Sequence, residues 1–510
     1  MHELVLILDF GSQYTQLIAR RIREEQVYCR IERSDLSAAE IQEMGAKALV
    51  LSGGPNSIFE ADAPQVDPAI FDLGIPILGV CYGLQIMAKH FNGNVVPGET
   101  REYGPMGIQF PGESLLFEGV SEGSQVWMSH GDHVETLPEN FNIIARSSGD
   151  LIAGMSHASK PFYGVQFHPE VNHTVQGQTI VSNFLFKIAN FNRDWTSSSF
   201  VEGALKEIKA TIGDGKVLLG LSGGVDSSVL AFLMHEALGD NCVPVFINNG
   251  LLREHETEEV KSLFEASHIK IYQHDYTDAF LSELKGVIEP EKKRKIIGRV
   301  FIEAFEEVAK QIKGIDFLAQ GTLYPDIIES GAITGHAVTI KSHHNVGGLP
   351  EKMSLKVIEP FKELFKDEVR AVGRILNVPA KIIGRHPFPG PGLAVRCLGA
   401  VSEDRLSVLR AADQIFIETL YETGWYDKIW QAFTVLLPIQ TVGVMGDKRT
   451  YENVLAIRAV HSLDGMTADW VRIPYEILAE VSSKIVNSVS GVNRVVYDIT
   501  SKPPGTIEWE

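Results

Sequence analysis

The chain has 510 residues, of which 44% are hydrophobic and 22% charged, as in a globular protein of two to four domains. Its 46 basic and 65 acidic residues give a net charge of −19, so we expect no nucleic-acid partner. We also expect no membrane association, because no apolar run approaches the roughly 20 residues that span a bilayer and the N-terminal pattern is not that of a signal peptide. The four cysteines are far apart and form no C-x-x-C pair, which favours a reducing cytoplasm over a zinc site or a disulfide framework.

Short apolar runs alternate with helical segments from residue 4 to about residue 192, which predicts an α/β domain. The candidate strands cover residues 4–8, 48–51, 75–80 and 163–167. The third strand ends in Gly79-Val80-Cys81-Tyr82-Gly83, and a helical pattern follows it. A strand that turns sharply on flanking glycines into a helix is the form of a nucleophile elbow, here with Cys81 in the place of serine. The alternative is a buried, inert cysteine.

The segment Gly164-Val165-Gln166-Phe167-His168-Pro169-Glu170 favours the catalytic interpretation of Cys81. It places an imidazole at the carboxyl end of a predicted strand, where a base for a nucleophile belongs, and Glu170 two residues later can hold the tautomer of His168. On its own, His168 would more often be a structural histidine with its hydrogen bonds satisfied. The combination predicts a catalytic triad of Cys81, His168 and Glu170.

These residues resemble the class I glutamine amidotransferase domain over about the first 190 residues. The resemblance implies that Cys81 attacks the side-chain amide of glutamine, that His168 moves the proton and that Glu170 orients His168. It also implies that the loop Ser52-Gly53-Gly54-Pro55 supplies backbone N–H groups to the developing oxyanion. We expect this domain to cover residues 1–192.

A second chemical motif is a run of glycines and serines between a predicted strand at 216–221 and a predicted helix. It consists of Ser222, Gly223, Gly224, Val225, Asp226, Ser227 and Ser228. Free N–H groups at a helix N-terminus, close backbone approach at glycine and serine hydroxyls together predict a phosphate-binding loop. The loop lacks the lysine of the G-x-x-x-x-G-K-[ST] motif and resembles the loop of the ATP-pyrophosphatases, which release pyrophosphate from ATP.

Further strand–helix alternation predicts a second doubly wound domain over residues 193–385, with its ligands at the carboxyl ends of its strands. Asp226 is the candidate Mg²⁺ ligand beside the ATP phosphates, although a helix-capping role fits the same position. The basic run 292–295 is either a solvated helix face or a lid over phosphates. His336, His343 and His344 lack regular ligand spacing, so we expect a polar loop beside the active site and not a metal site.

The segment 386–510 opens with the motif His-Pro-Phe-Pro-Gly-Pro-Gly-Leu-Ala-Val-Arg at 386–396, which indicates a rigid connection. The rest of the segment predicts a small α+β domain. A domain of this size is expected to associate with a partner. The sequence thus predicts two doubly wound, mainly parallel-sheet domains followed by a small α+β domain.

The glutaminase motifs, the Ser222–Ser228 loop, the 386–394 motif and the ending Lys-Pro-Pro-Gly-Thr-Ile-Glu-Trp-Glu resemble the glutamine-hydrolysing GMP synthetase family over essentially the whole chain. The resemblance implies adenylylation of XMP by ATP, displacement of AMP by ammonia from glutamine to give GMP, and a homodimer formed through the C-terminal domain. It further implies that XMP is bound by Arg253, Asp326, Gln440, Lys502 and Glu508. Each of these five side chains could otherwise be an ordinary surface group.

Three alternatives remain to be weighed against this interpretation. A glutamine-fed NAD synthetase would share the loop, but it pairs with a nitrilase-type glutaminase and not with a Cys-His-Glu triad. A tRNA-thiolating enzyme would share it too, but it calls for a basic surface and usually paired cysteines. A catalytically inactive regulatory binder is disfavoured because every motif residue needed for chemistry is present.

Overall fold

A computed structural model describes residues 2–329, 355–445, 448–462, 465 and 467–510. The chain divides into two compact units, one comprising Met1–Phe200 and Tyr324–Ile340 and the other Val201–Leu323 and Lys341–Glu510. Within the described residues, no helix has the length and apolar character needed to cross a bilayer. The three histidines His336, His343 and His344, expected in a polar loop, lie outside the described residues.

The first unit is built on a nine-stranded sheet with the order β2-β1-β3-β4-β9-β8-β7-β5-β6. Its strands are β1 (Leu4–Asp9), β2 (Tyr28–Arg33), β3 (Ala46–Leu51), β4 (Ile77–Val80), β5 (Asn94–Gln109), β6 (Gln125–Thr136), β7 (Phe141–Ser147), β8 (Ile152–His157) and β9 (Phe162–Val165). The first five in this order are parallel and the rest form an antiparallel extension. Its α-helices are Thr15–Glu24, Ala38–Glu43, Tyr82–His90, Gly177–Asn183 and Tyr324–Glu329.

The parallel part of this sheet explains why its strands are almost wholly apolar. Strand β1 is buried from Leu4 to Leu8 and β4 is buried throughout, because helices cover both faces of such a sheet. The predicted strands at 4–8 and 48–51 are confirmed. The predicted strand at 163–167 ends earlier, at Val165, so that Gln166 and the residues after it lie beyond the edge of the sheet.

The second unit contains a five-stranded parallel sheet with the order β12-β11-β10-β13-β14. Its strands are β10 (Lys216–Leu221), β11 (Cys242–Asn248), β12 (Tyr272–Asp275), β13 (Ile315–Ala319) and β14 (Lys356–Ile358). The α-helices of this region are Ser197–Ile212, Val225–Leu238, Glu256–Ala266, Thr277–Leu284, Pro290–Gln311, Lys366–Ile375 and Ala380–Ile383. The order places β10 at the centre, so the loop after β10 emerges at the middle of the carboxyl edge.

A smaller sheet follows in the same unit and combines antiparallel and parallel pairing. Its strands are β15 (Gln431–Met445), β16 (Lys448–His461), β17 (Asp469–Trp470) and β18 (Val492–Tyr497). Strand β16 pairs antiparallel with β15 and β17 and parallel with β18. The helices Glu403–Glu422 and Tyr475–Ser488 accompany it. The predicted fold class of two α/β parts and a small α+β part is confirmed.

One hydrophobic core runs through both sheets of the second unit. It includes Leu218 of β10 and Val245 of β11 together with Leu436 of β15 and Leu455 of β16. The size of the small α+β segment predicts that it associates with something else. In this core it packs against the α/β part of its own chain.

The basic run at the start of helix Pro290–Gln311 is not a uniform solvated face. Lys292 is largely exposed, but the side chain of Lys293 is fully buried, and its ammonium donates to the carbonyls of Ala394 and Cys397 at 3.0 and 2.9 Å. The solvated-face interpretation is therefore wrong for Lys293.

Candidate active sites

Cys81 lies on the sharp turn between β4 and helix Tyr82–His90 with a φ of 52°, a left-handed conformation that a non-glycine residue rarely adopts. The turn requires small neighbours. A Cβ on Gly83 would lie 2.3 Å from the carbonyl oxygen of Leu51, and a Cβ on Gly79 would lie 2.7 Å from the backbone of Gly83. The turn aims the thiol over the carboxyl edge of the sheet, where the first N–H groups of the helix have no intrahelical acceptor.

His168 and Glu170 lie beside this thiol in the buried interior of the first unit. Nδ1 of His168 and Oε1 of Glu170 are 2.7 Å apart, and the Cys81 side chain interacts electrostatically with the ring. Burial acts to lower the pKa of His168, but the charge of Glu170, its hydrogen bond to the ring and the interaction with Cys81 outweigh it and hold this pKa well above its usual value. The geometry is that of a nucleophile, a base and an orienting carboxylate.

The loop with Gly53 and Gly54 closes this site on a second side. A Cβ on Gly53 would lie 3.0 Å from Cε1 of His168 and 3.7 Å from Cβ of Cys81. A Cβ on Gly54 would lie 3.0 Å from the carbonyl oxygen of Phe10. Glycine lets this backbone approach the reacting atoms closely, as an oxyanion-binding loop must.

The phosphate-loop motif lies between β10 and helix Val225–Leu238, as predicted. Gly223 has a φ of +76°, which glycine adopts without strain. Ser222 is exposed at the turn, and its Oγ lies 3.0 Å from Oγ of Ser227. Val225 and Ser228 are buried on the first turn of the helix, so they support the loop more than they present groups to a ligand.

Asp226 lies at the N-terminal turn of the same helix. Its Oδ2 accepts from Nζ of Lys366 at 3.2 Å, while its buried Oδ1 finds no partner among the described residues. One free carboxylate oxygen beside a phosphate loop fits Mg²⁺, which takes one or two protein carboxylates and completes its shell with phosphate and water. A cluster of three or more acidic, histidine or cysteine ligands does not occur in the described part of the chain.

Of the five predicted XMP-binding residues, Arg253 and Glu508 lie together. Nε of Arg253 pairs with Asp413 at 3.2 Å. The Glu508 carboxylate accepts two bonds from Arg396, at 3.1 and 2.8 Å. Both guanidinium groups lie over the ring of Phe388, at 5.3 Å for Arg253 and 5.0 Å for Arg396, so the two pairs share one polar cluster.

Lys502 and Gln440 also belong to the second unit. Nζ of Lys502 donates to the carbonyl of Gly465 at 2.7 Å. Gln440 is exposed on β15, beyond a register irregularity between Leu436 and Gln440. Asp326 belongs to helix Tyr324–Glu329 of the first unit.

Comparison with known proteins identifies each part of the chain. The family of class-I glutamine amidotransferases matches residues 6–188, the NAD synthase family matches 197–298, and the GMP synthase C-terminal domain family matches 418–509. The chain is 54% identical to a glutamine-hydrolyzing GMP synthase of Maridesulfovibrio salexigens, over 99% of each chain. It is 55% identical to those of Thermosipho melanesiensis and Chlorobaculum tepidum, again over 99% of each chain.

The chain belongs to the glutamine-hydrolysing GMP synthase family. This resolves the alternatives left by the sequence motifs. The match to the NAD synthase family covers only the region around the phosphate loop, whereas the GMP synthases match from end to end.

Several residues around the candidate sites carried no usable signal in the sequence. Nη1 of Arg385 donates to the carbonyl of Gly223 at 2.8 Å and so braces the phosphate loop from 162 positions away. Lys366 meets Asp226 across 140 positions. Nε2 of Gln166 donates to the Cys81 thiol at 3.7 Å. Gln166 and Arg396 both lie inside recognised motifs, but residue type alone does not tell which way their side chains point.

Proposed function

We propose that this chain uses Cys81, His168 and Glu170 to hydrolyse glutamine and the Ser222–Ser228 loop to activate XMP with ATP, giving GMP, AMP and pyrophosphate. The observation that carries the proposal is the joint presence of the Cys81–His168–Glu170 arrangement and a phosphate loop in one chain that belongs to the GMP synthase family.

The glutaminase half follows from the geometry around Cys81. Sγ of Cys81 attacks the side-chain amide carbon of glutamine, and its proton passes to His168. The oxyanion receives N–H groups of the Gly53–Gly54 loop and of Tyr82, the residue after the nucleophile. His168 protonates the departing ammonia, and water then hydrolyses the thioester to glutamate. Glu170 keeps the ring oriented and stabilises its charge throughout.

The synthetase half transfers AMP to O2 of the xanthine base. O2 attacks the α-phosphorus of ATP, the bond to the bridging oxygen breaks, and pyrophosphate leaves. Ammonia then attacks C2 and AMP leaves, which gives GMP. The hydroxyls of Ser222, which is exposed, and of Ser227, which is partly buried, bind phosphate oxygens together with the N–H groups of the loop, and Lys366 supplies a cation beside them. Asp226 would hold Mg²⁺, which neutralises phosphate charge when it is bound.

The XMP assignments of Arg253, Asp326, Gln440, Lys502 and Glu508 remain part of this proposal. They are supported for Arg253 and Glu508 by the cluster around Phe388, in which Nη1 of Arg396 is buried and has no acceptor among the described residues. A donor left over in such a cluster is suited to a polar ligand.

We propose domain limits of 1–192, 193–385 and 386–510, supported by family matches that fall one within each domain, at 6–188, 197–298 and 418–509. A homodimer through the last domain is supported by apolar side chains exposed on paired positions of β15 and β16, namely Val442 and Tyr451, with Val444 beside them. A cytoplasmic location is supported by the four thiols, all of them unpaired.

The test is product analysis after mixing the protein with Mg-ATP, XMP and glutamine. GMP, AMP and pyrophosphate in equal amounts are expected. AMP and pyrophosphate without GMP would contradict the XMP assignment, and ADP with phosphate would contradict the role of the Ser222–Ser228 loop.

A further inference from the structure

Three cations with fully buried side chains hold the last thirteen residues of the sequence in place. They are Arg458 on β16, Arg396 in the 386–396 motif and Lys293 near the start of helix Pro290–Gln311. Such cations are rarely buried completely unless every charge is paired and hydrogen-bonded. The segment 498–510 supplies a partner to each of these three cations, and it is therefore one ordered element.

Arg458 shapes the bend of this segment. Its Nε and Nη2 donate to the carbonyls of Ile507 and Thr506 at 2.8 and 3.0 Å. Its Nη1 donates to Asp498 at 2.7 Å and to the carbonyl of Thr500 at 3.0 Å. The two ends of the bend are thus tied to one side chain, which leaves the final residues, including Glu508, to be positioned by other contacts.

Lys293 fixes those final residues. Its ammonium has three protons and makes three contacts, to the carbonyls of Ala394 and Cys397 and to Oε2 of Glu510. Arg294 also donates to the main-chain oxygen of Glu510. Cations in the first turns of a helix are electrostatically unfavourable. For Lys293 and Arg294, the contacts with Glu510 offset this unfavourable interaction.

The same short piece of backbone joins Lys293 to the Glu508 carboxylate. Ala394 and Cys397, which accept from Lys293, flank Arg396, which binds Glu508 through two hydrogen bonds. Glu508 and Glu510 are two residues apart in the segment 498–510. A shift of Glu510 would therefore pull Glu508 away from the guanidinium that orients it.

We propose that Lys293 is a positioning residue for XMP recognition: it anchors Glu510 and thereby sets the place of Glu508 beside Arg253. This inference rests on the proposed function, since Glu508 and Arg253 are XMP-binding residues only under that proposal. It also gives Lys293 a role other than closing over phosphates, because its three protons are all engaged inside the fold.

The test compares three variants of the full chain: Lys293→Met, Glu510→Gln and, as a matched control, Lys292→Met. Lys292 is the neighbouring residue, 70% exposed, and its ion pair with Glu289 is long at 3.6 Å. The ammonium-driven reaction is followed by pyrophosphate release, with the KM for XMP and for ATP measured separately and the fold checked by thermal melting. Glu510→Gln retains an acceptor for Lys293, so it provides a reading even if Lys293→Met fails to fold.

We expect the KM for XMP to rise about tenfold in Lys293→Met and about threefold in Glu510→Gln, with the KM for ATP unchanged and Lys292→Met like wild type. An unchanged KM for XMP in a folded variant, or equal increases for XMP and ATP, would show that Lys293 serves stability alone and would overturn the inference. If the wild-type protein made no GMP from XMP, the proposed function itself would fail, which is a distinguishable outcome.

Discussion

At the scale of single residues, the first site depends on a conflict between burial and charge. His168 and Glu170 are both almost completely buried, where an unpaired charge would be strongly disfavoured. They stabilise each other at 2.7 Å, and the Cys81 thiol is held against the ring by a backbone conformation that only a few residue types tolerate. The reactivity of this cysteine is thus a property of its neighbours.

The first prediction concerns that cysteine. Cys81→Ala should lower glutamine-driven GMP synthesis by at least about a thousandfold, because no other thiol faces His168, and should leave ammonium-driven synthesis within about twofold. The control is Cys242→Ala, since burial raises the pKa of the Cys242 thiol to about 12 and makes it unreactive. Loss of both activities in Cys81→Ala would mean that the residue is structural.

A second prediction follows from the raised pKa of His168. In Glu170→Gln the opposing charge is gone, so burial should lower this pKa, and the limb of the glutaminase pH profile set by His168 should move to lower pH. We expect at least about a hundredfold loss of glutaminase rate. The measurement is kcat/KM for glutamine against pH, with ammonium-driven synthesis as the reference.

The second prediction has a counterpart in stability, which the same pair makes dependent on pH. Because the folded-state pKa of His168 is raised, the ion pair contributes fully below the unfolded value of about 6.5 and is lost as pH rises through the folded value. The melting temperature of Glu170→Gln should therefore lie furthest below wild type near pH 6. A difference that grew with pH would contradict this account.

At the scale of elements, both sites use a strand that turns on glycine into a helix, but the two turns differ. The turn after β4 packs its glycines against backbone, while the turn after β10 uses Gly223 for its positive φ and leaves Ser222 exposed. The first turn holds a side chain rigidly, and the second presents backbone to a ligand.

This difference gives the third prediction. Gly83→Ala should destabilise the first unit by about 1–3 kcal/mol or more and abolish glutaminase activity, because its Cβ would lie 2.3 Å from the carbonyl oxygen of Leu51. Gly112→Ala is the control, since no atom lies within 4 Å of its Cβ position. Thermal melting together with glutaminase assays distinguishes the two, and a Gly83→Ala protein of normal activity would contradict the packing argument.

The elements were also the part of the molecule that the sequence predicted best. Strand–turn–helix signals with glycine at fixed offsets act over a few residues, so the surroundings of Cys81 and of Asp226 could be anticipated. The contacts of Lys293, Lys366 and Arg385 could not, because each joins residues at least 100 positions apart and charge alone does not reveal such a partner. The basic run at 292–295 shows the limit: its neighbours in sequence indicate a solvated face, and only tertiary packing buries one of its members.

At the scale of the whole molecule, the second unit has one core where the sequence indicates two domains. The apolar side chains of β10 and β11 and those of β15 and β16 belong to the same buried cluster. Domain boundaries inferred from motifs reflect where functional residues and family similarities lie. Cooperative unfolding depends instead on which apolar side chains are buried together.

The fourth prediction tests that cooperativity. Leu436→Ala, in the small α+β part, should lower stability by about 2–5 kcal/mol and cause ATP binding to be lost in the same earlier transition. The measurement is ATP binding and circular dichroism during heating, and the control is Leu49→Ala in the core of the first unit, which should lower the temperature at which glutaminase activity is lost. ATP binding that outlasted the unfolding of the α+β part would mean that the two parts are separate folding units.

The anchoring of Glu510 by Lys293 bears on the order in which the protein is made. The ribosome synthesises the chain from its N-terminus, so the core of the first unit can form while later residues are still being added. Lys293 is synthesised 101 and 104 residues before Ala394 and Cys397, whose carbonyls it binds, and 217 residues before its carboxylate partner Glu510. During synthesis, the glutaminase site can therefore form before the XMP site is ordered. The protein would acquire its two activities one after the other.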